Sequence, residues 1–75
     1  MKCVTVFENS IRESWDVHAG MHQDNLLNRF DHDDRDAAVA FAKENADSTV
    51  MVCETGSLAG YDEKYVAKGL RWEQA

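Results

Sequence analysis

The sequence predicts an α+β domain in which one helix lies on a thin, antiparallel-rich sheet of three to four strands. Three observations carry that expectation. Val4-Thr5-Val6-Phe7-Glu8 and Val50-Met51-Val52-Cys53-Glu54 share one alternating pattern, with valines on one side and Thr5, Phe7, Met51 and Cys53 on the other. Such a pair suits central strands that are apolar on both faces. Between them, Ala38, Val39, Phe41, Ala42 and Ala46 recur at the spacing of a 3.6-residue period. The chain has 75 residues, 44% of them hydrophobic. That suits a single domain, 1–75, near the lower limit of independent folding.

The elements follow in order. Residues 2–8 are rich in β-branched and aromatic side chains and predict a first strand. Asn9 and Ser10 are turn formers and open a hairpin connection through Glu13. Residues 14–19, Ser-Trp-Asp-Val-His-Ala, alternate with period two as a half-buried strand, and Gly20 ends it. The stretch from Met21 reads as loop, and residues 25–30 as a third strand. The main helix is placed at about 34–46. Asp33 is its expected N-cap, Asp36 stands three residues on, and the first-turn carboxylates favour the positive end of the helix dipole. A fourth strand, about 49–54, follows a short turn. Thr55 to Gly60 reads as loop. Residues 61–68 read as a short C-terminal helix, with Gly69 at its C-cap and lysines in its last turn, and Leu70 to Glu73 as an edge strand.

One helix covers the valine face together with Trp15 and Val17. The opposite face, bearing Phe7, Met51 and Cys53, then needs a cover, since exposed apolar patches mark interfaces. Either the tail, residues 56–75, folds back with Tyr61, Tyr65, Leu70 and Trp72, or a second copy supplies the cover in a homodimer.

Net charge is −6, from 14 acidic and 8 basic residues. This argues against direct attraction to nucleic acid or to an anionic membrane, and no apolar run approaches a membrane span. Cys3 and Cys53 lie in apolar strand patterns and read as reduced, buried thiols of a cytoplasmic protein. The N-terminus enters a strand pattern directly, without a secretion signal.

Catalytic apparatus is not expected. No glycine-rich phosphate loop, serine elbow or helical Glu-x-x-His occurs, and strand positions discourage a cysteine nucleophile. No metal or cofactor is expected either. Gly20 separates His18 from His22, which spoils the helical His-x3-His geometry, and these histidines and His32 read as surface residues. The aspartates lack the glycine and terminal glutamate of a calcium-binding loop.

The charge feature that remains is Asp31, Asp33, Asp34 and Asp36, with Glu13, Asp16 and Asp24 extending it if they share its face. Eight of the fourteen acids fall between Glu8 and Asp36, against three arginines. Charges spaced along a rigid scaffold imitate a phosphate backbone to a basic groove.

Trp15-Asp16-Val17, a strand ending in Phe30, and Ala38, Ala42 and Ala46 leading to a valine-rich strand resemble a family of small bacterial and phage β-β-β-α-β domains of unknown function. The resemblance covers about residues 3–56, and the tail after Thr55 departs from it. By size, acidity and lack of catalytic machinery, the chain also looks like phage-encoded anti-defence proteins, of the anti-CRISPR or anti-restriction type. The expectation is therefore a non-catalytic, acidic protein-binding domain, an inhibitor of a nucleic-acid-handling complex. The alternative is a small cytoplasmic structural or dimerisation domain.

Overall fold

The computed structural model describes residues 2–20, 25–54 and 61–75. Its order is β1 (Cys3–Asn9), β2 (Ser14–Ala19), β3 (Asn25–Asp31), one turn of 3-10 helix (His32–Asp34), α1 (Arg35–Asn45), β4 (Thr49–Cys53), β5 (Glu63–Lys68) and β6 (Arg71–Gln74). The strands form one six-stranded sheet, ordered β3-β2-β1-β4-β5-β6. All neighbours are antiparallel except β1 and β4, which run parallel.

The parallel pair explains the repeated valine pattern. Val4 stands beside Val50 and Val6 beside Val52, while Thr5 and Phe7 stand beside Met51 and Cys53. Parallel neighbours need a crossover, and α1 provides it from β3 over the sheet to β4. Val4, Val6, Val17, Val50 and Val52 are fully buried beneath α1, as are Ala38 and Ala42 on its inner face. The two alanines let the helix backbone approach the valine ridge. Asp36, Ala40 and Glu44 face solvent. The helix ends where the Ala46 amide donates to Ala42 O (2.9 Å), satisfying one of the last-turn carbonyls, and Asn45 Nδ2 adds a bond to Phe41 O (2.8 Å).

The expected three to four strands with a C-terminal helix are overturned. Residues 61–68, expected as helix, instead contain β5, and β5 and β6 form a hairpin that extends the sheet beyond β4. Gly69 ends no helix. It is the first residue of a two-residue hairpin turn, with φ +65°. The described part of the tail does not fold back over the second face. Tyr65 and Trp72 pack on the helix side of the sheet, Leu70 is fully exposed in the turn, and Tyr61 is exposed before β5. Met51 and Cys53 are buried on the other face, and Phe7 is half-buried there. The helix start also differs from expectation. Asp33 lies inside the 3-10 turn, Asp34 takes the N-cap position of α1, and the Asp34 side chain makes no capping bond. The loop expected at Met21–Asn25 lies outside the described residues except for Asn25, which opens β3, and the loop expected at Thr55–Gly60 lies outside them entirely.

Cys3 and Cys53 are not joined in a disulfide. They stand four positions apart along the parallel pair, where Cys3 neighbours Thr49 and Cys53 neighbours Phe7. Burial pushes both thiols above the usual cysteine range. No helix among the described residues is long and apolar enough to cross a membrane.

The contact between α1 and the valines leaves no room for larger side chains. Ala42→Leu is expected to destabilise the fold by about 1–3 kcal/mol, read as a lowered denaturation midpoint with an unchanged m value.

Candidate functional site

The sheet ends its β1–β2 hairpin in a turn at one corner, and the chain leaves β3 for α1 at the same corner. Between the two lies an open cleft of about 530 Å³ lined by Glu8, Ser10, Glu13, Asp31, His32 and Asp33. Sequence reasoning read His32 as a plain surface residue, yet it holds this corner together. Its backbone amide donates to Glu13 O (3.0 Å), and its carbonyl accepts from Trp15 Nε1 (2.8 Å). Its ring stacks on Trp15, with centroids 5.9 Å apart, and Nε2 meets Glu8 Oε2 at 2.8 Å. The signal for this was present in the alternation. Glu8 and Trp15 are cross-strand partners and project together on the helix side.

That geometry favours the protonated form of His32. The Glu8 hydrogen bond raises its pKa above the ordinary histidine value, with partial burial opposing and the charges of Glu8, Asp33 and Glu13 adding to the rise. Among the described residues, no group of three or more His, Cys, Asp and Glu side chains is arranged to hold a metal ion.

Asp31 ends β3, Asp33 and Asp34 occupy the 3-10 turn, Asp36 lies in the first turn of α1 and Glu13 in the hairpin turn. All five are exposed, and none makes a salt bridge among the described residues. The arginines nearest the four aspartates in sequence are committed elsewhere. Arg35, between Asp34 and Asp36, turns to Glu63 and Glu54, with its guanidinium 5.6 Å from the Trp15 ring centre. Arg29 turns to Asp16, Nε to Oδ1 at 2.8 Å.

Asp16 is therefore not part of the acidic face. It is 3% exposed and projects on the side away from α1, opposite Phe7 and Arg29. Ser14 Oγ (2.8 Å) and Asn9 Nδ2 (3.0 Å) also donate to its carboxylate. Burial pushes the Asp16 pKa up, but the hydrogen bonds from Arg29, Asn9 and Ser14 outweigh it and hold the carboxyl below the usual range. Asp24 lies outside the described residues. Of the apolar residues expected on the second face, Tyr65 belongs to the helix side, where Lys43 Nζ sits 4.2 Å from its ring centre and its hydroxyl donates to Glu63.

No protein-family model, curated protein or solved structure matches the chain, so the site is read from its geometry.

Two titrations check these contacts. A histidine whose pKa is raised on folding stabilises the fold fully below the unfolded value, and that contribution is lost as pH rises through the folded value. Glu8→Gln should move the His32 titration, followed by NMR of the ring protons, down toward the ordinary value. An unmoved midpoint would show that Glu8 is not its partner. Asp16 has the opposite sign: its contribution is present above the ordinary carboxylate value and lost as pH falls through its depressed one. Asp16→Asn should cost about 2 kcal/mol at neutral pH and flatten the acid limb of the stability profile in urea titrations.

Proposed function

We propose that the chain is a non-catalytic binding domain that presents its β3–α1 corner to a basic protein surface, and that its partner is a bacterial nucleic-acid-handling defence complex, of the CRISPR or restriction type, which it inhibits. One observation carries this reading. Asp31, Asp33, Asp34 and Asp36 are exposed while Arg29 turns to Asp16 and Arg35 to Glu63 and Glu54, so the arginines that flank the aspartates in sequence are committed away from them. A surplus that exists only to start a helix would be served by a side-chain cap, and neither Asp31 nor Asp34 makes one.

The support is electrostatic and geometric. The four aspartates follow one another along a strand end, a 3-10 turn and a helix start, and His32 anchors that path to the sheet by three contacts. Pre-ordered charge of one sign attracts a cationic groove at long range and loses little entropy on docking. A groove that holds DNA or RNA phosphates has the required complementary charge. The cytoplasm, where such complexes act, is the compartment this reading requires.

Purified CRISPR effector and restriction complexes, assayed for target-DNA binding with the domain added, test the reading. At least one is expected to lose DNA binding, less so as salt rises. The triple variant D33K/D34K/D36K should lose inhibition by about 100-fold or more while keeping the wild-type circular dichroism. Inhibition unchanged by the three reversals, or no complex responding, would refute it.

A further inference from the structure

Among the described residues the sheet has two edges without a neighbouring strand, and they are built differently. Along β3 the register slips between Val17 and His18 of β2, and the Arg29 backbone amide is taken by the Asn28 side chain at 2.8 Å. Bulges and side-chain capping of edge donors are devices that stop a strand from recruiting another. The β6 edge carries neither. Its pairing with β5 runs without a register shift, no proline occurs in the chain, and fully exposed Leu70 stands at its start.

The hydrogen bonds around β6 show which of its groups point outward. Ala67 donates its backbone amide to Ser48 O (2.9 Å), away from β6, so its partner Trp72 is turned away from β5 as well. Ala75 donates to Lys64 O (2.7 Å), which points residue 75 inward. Because these groups alternate, Arg71 and Glu73 bond to β5, while Trp72 and Gln74 carry outward N–H and C=O groups.

We propose that this edge pairs with the same edge of a second copy, antiparallel about Trp72, giving a two-fold dimer with a continuous sheet. The register is self-complementary. Arg71 and Glu73 flank Trp72 on one face, so a two-fold axis at Trp72 places each Arg71 opposite the partner's Glu73, twice over. On the other face the two Trp72 rings stand opposite each other and continue the apolar stripe that Tyr65 and Trp72 form beside the core. Within one chain, Arg71 already meets Glu73 at 3.2 Å, but the pair is exposed, and exchanging it for the cross-strand pairs costs little. Four residues of strand make an interface well below the roughly 1,200 Å² of standard complexes, so the dimer dissociates on dilution. This inference uses neither the acidic corner nor its proposed partner.

Sedimentation equilibrium of the full chain, up to about 1 mM, is the test, with a reversible monomer–dimer equilibrium expected. Arg71→Glu and Glu73→Arg should each weaken self-association by about tenfold, because each puts like charges in register. An equimolar mixture of the two variants should recover the dimer as a heterodimer, and the double variant R71E/E73R should dimerise like the wild type. Net charge alone predicts otherwise, since R71E makes the chain more acidic and E73R less. A chain monomeric throughout the range overturns the proposal. So does a dimer that both variants leave intact, or a mixture that fails to recover. If a variant does not fold, amide exchange on the wild type decides. The Trp72 and Gln74 amides must slow as concentration rises, and amides that do not slow overturn the proposal too.

Discussion

Val4 and Val6 of β1 lie in register beside Val50 and Val52 of β4, and the rest of the molecule follows from that parallel contact. Two parallel neighbours cannot be joined by a tight turn, so the chain must cross the sheet between them, and the crossover must cover what the valines expose. Ala38 and Ala42 make this feasible by presenting almost no side chain to the ridge they cover. The meander β1-β2-β3 and the hairpin β5-β6 then flank the pair on either side. The passage from β3 into α1 falls at the corner where the β1–β2 turn also lies. The most acidic stretch of the chain is placed there by the needs of the core.

Charge is sorted by that framework. Register puts Glu8 and Trp15 side by side under His32, and Asp16 beside Arg29 on the opposite face. Arg35 reaches back across the sheet end to Glu63 and Glu54, packed against Trp15. Asp16 and Glu63, buried or half-buried, thus take Arg29 and Arg35, since an unpaired charge costs most where water is excluded. The aspartates of the corner remain in water, where they need no partner. An exposed anionic surface is a consequence of how the interior is neutralised.

The two sheet edges illustrate the same economy. β3 is protected by a bulge and by an asparagine that occupies a backbone donor, and it borders the charged corner. β6 is short and carries one charge of each sign around a tryptophan. Shortness alone limits how strongly such an edge associates, which is consistent with an isolated four-residue strand being left without further protection.

Local pattern carried much of the architecture. Alternation located β1, β2 and β4, and helical spacing located the inner face of α1, because each is a property of neighbouring residues along the chain. The aspartate cluster was legible for the same reason. The tail was not. Glu63 to Lys68 followed by Gly69 satisfies a capped helix and a strand entering a two-residue turn equally well, and only the free edge of β4, offering Ser48 O to Ala67, makes the strand the lower-energy choice. Asp16, counted as a surface acid, was misjudged, and His32, exposed as expected, makes contacts that its spacing did not announce. Residue type and sequence spacing determined the first four strands, the helix and the sign of the charge. Which carboxylates are buried, which cations they take, and where the last thirteen residues go were decided by tertiary structure, because each depends on a strand neighbour distant in the chain.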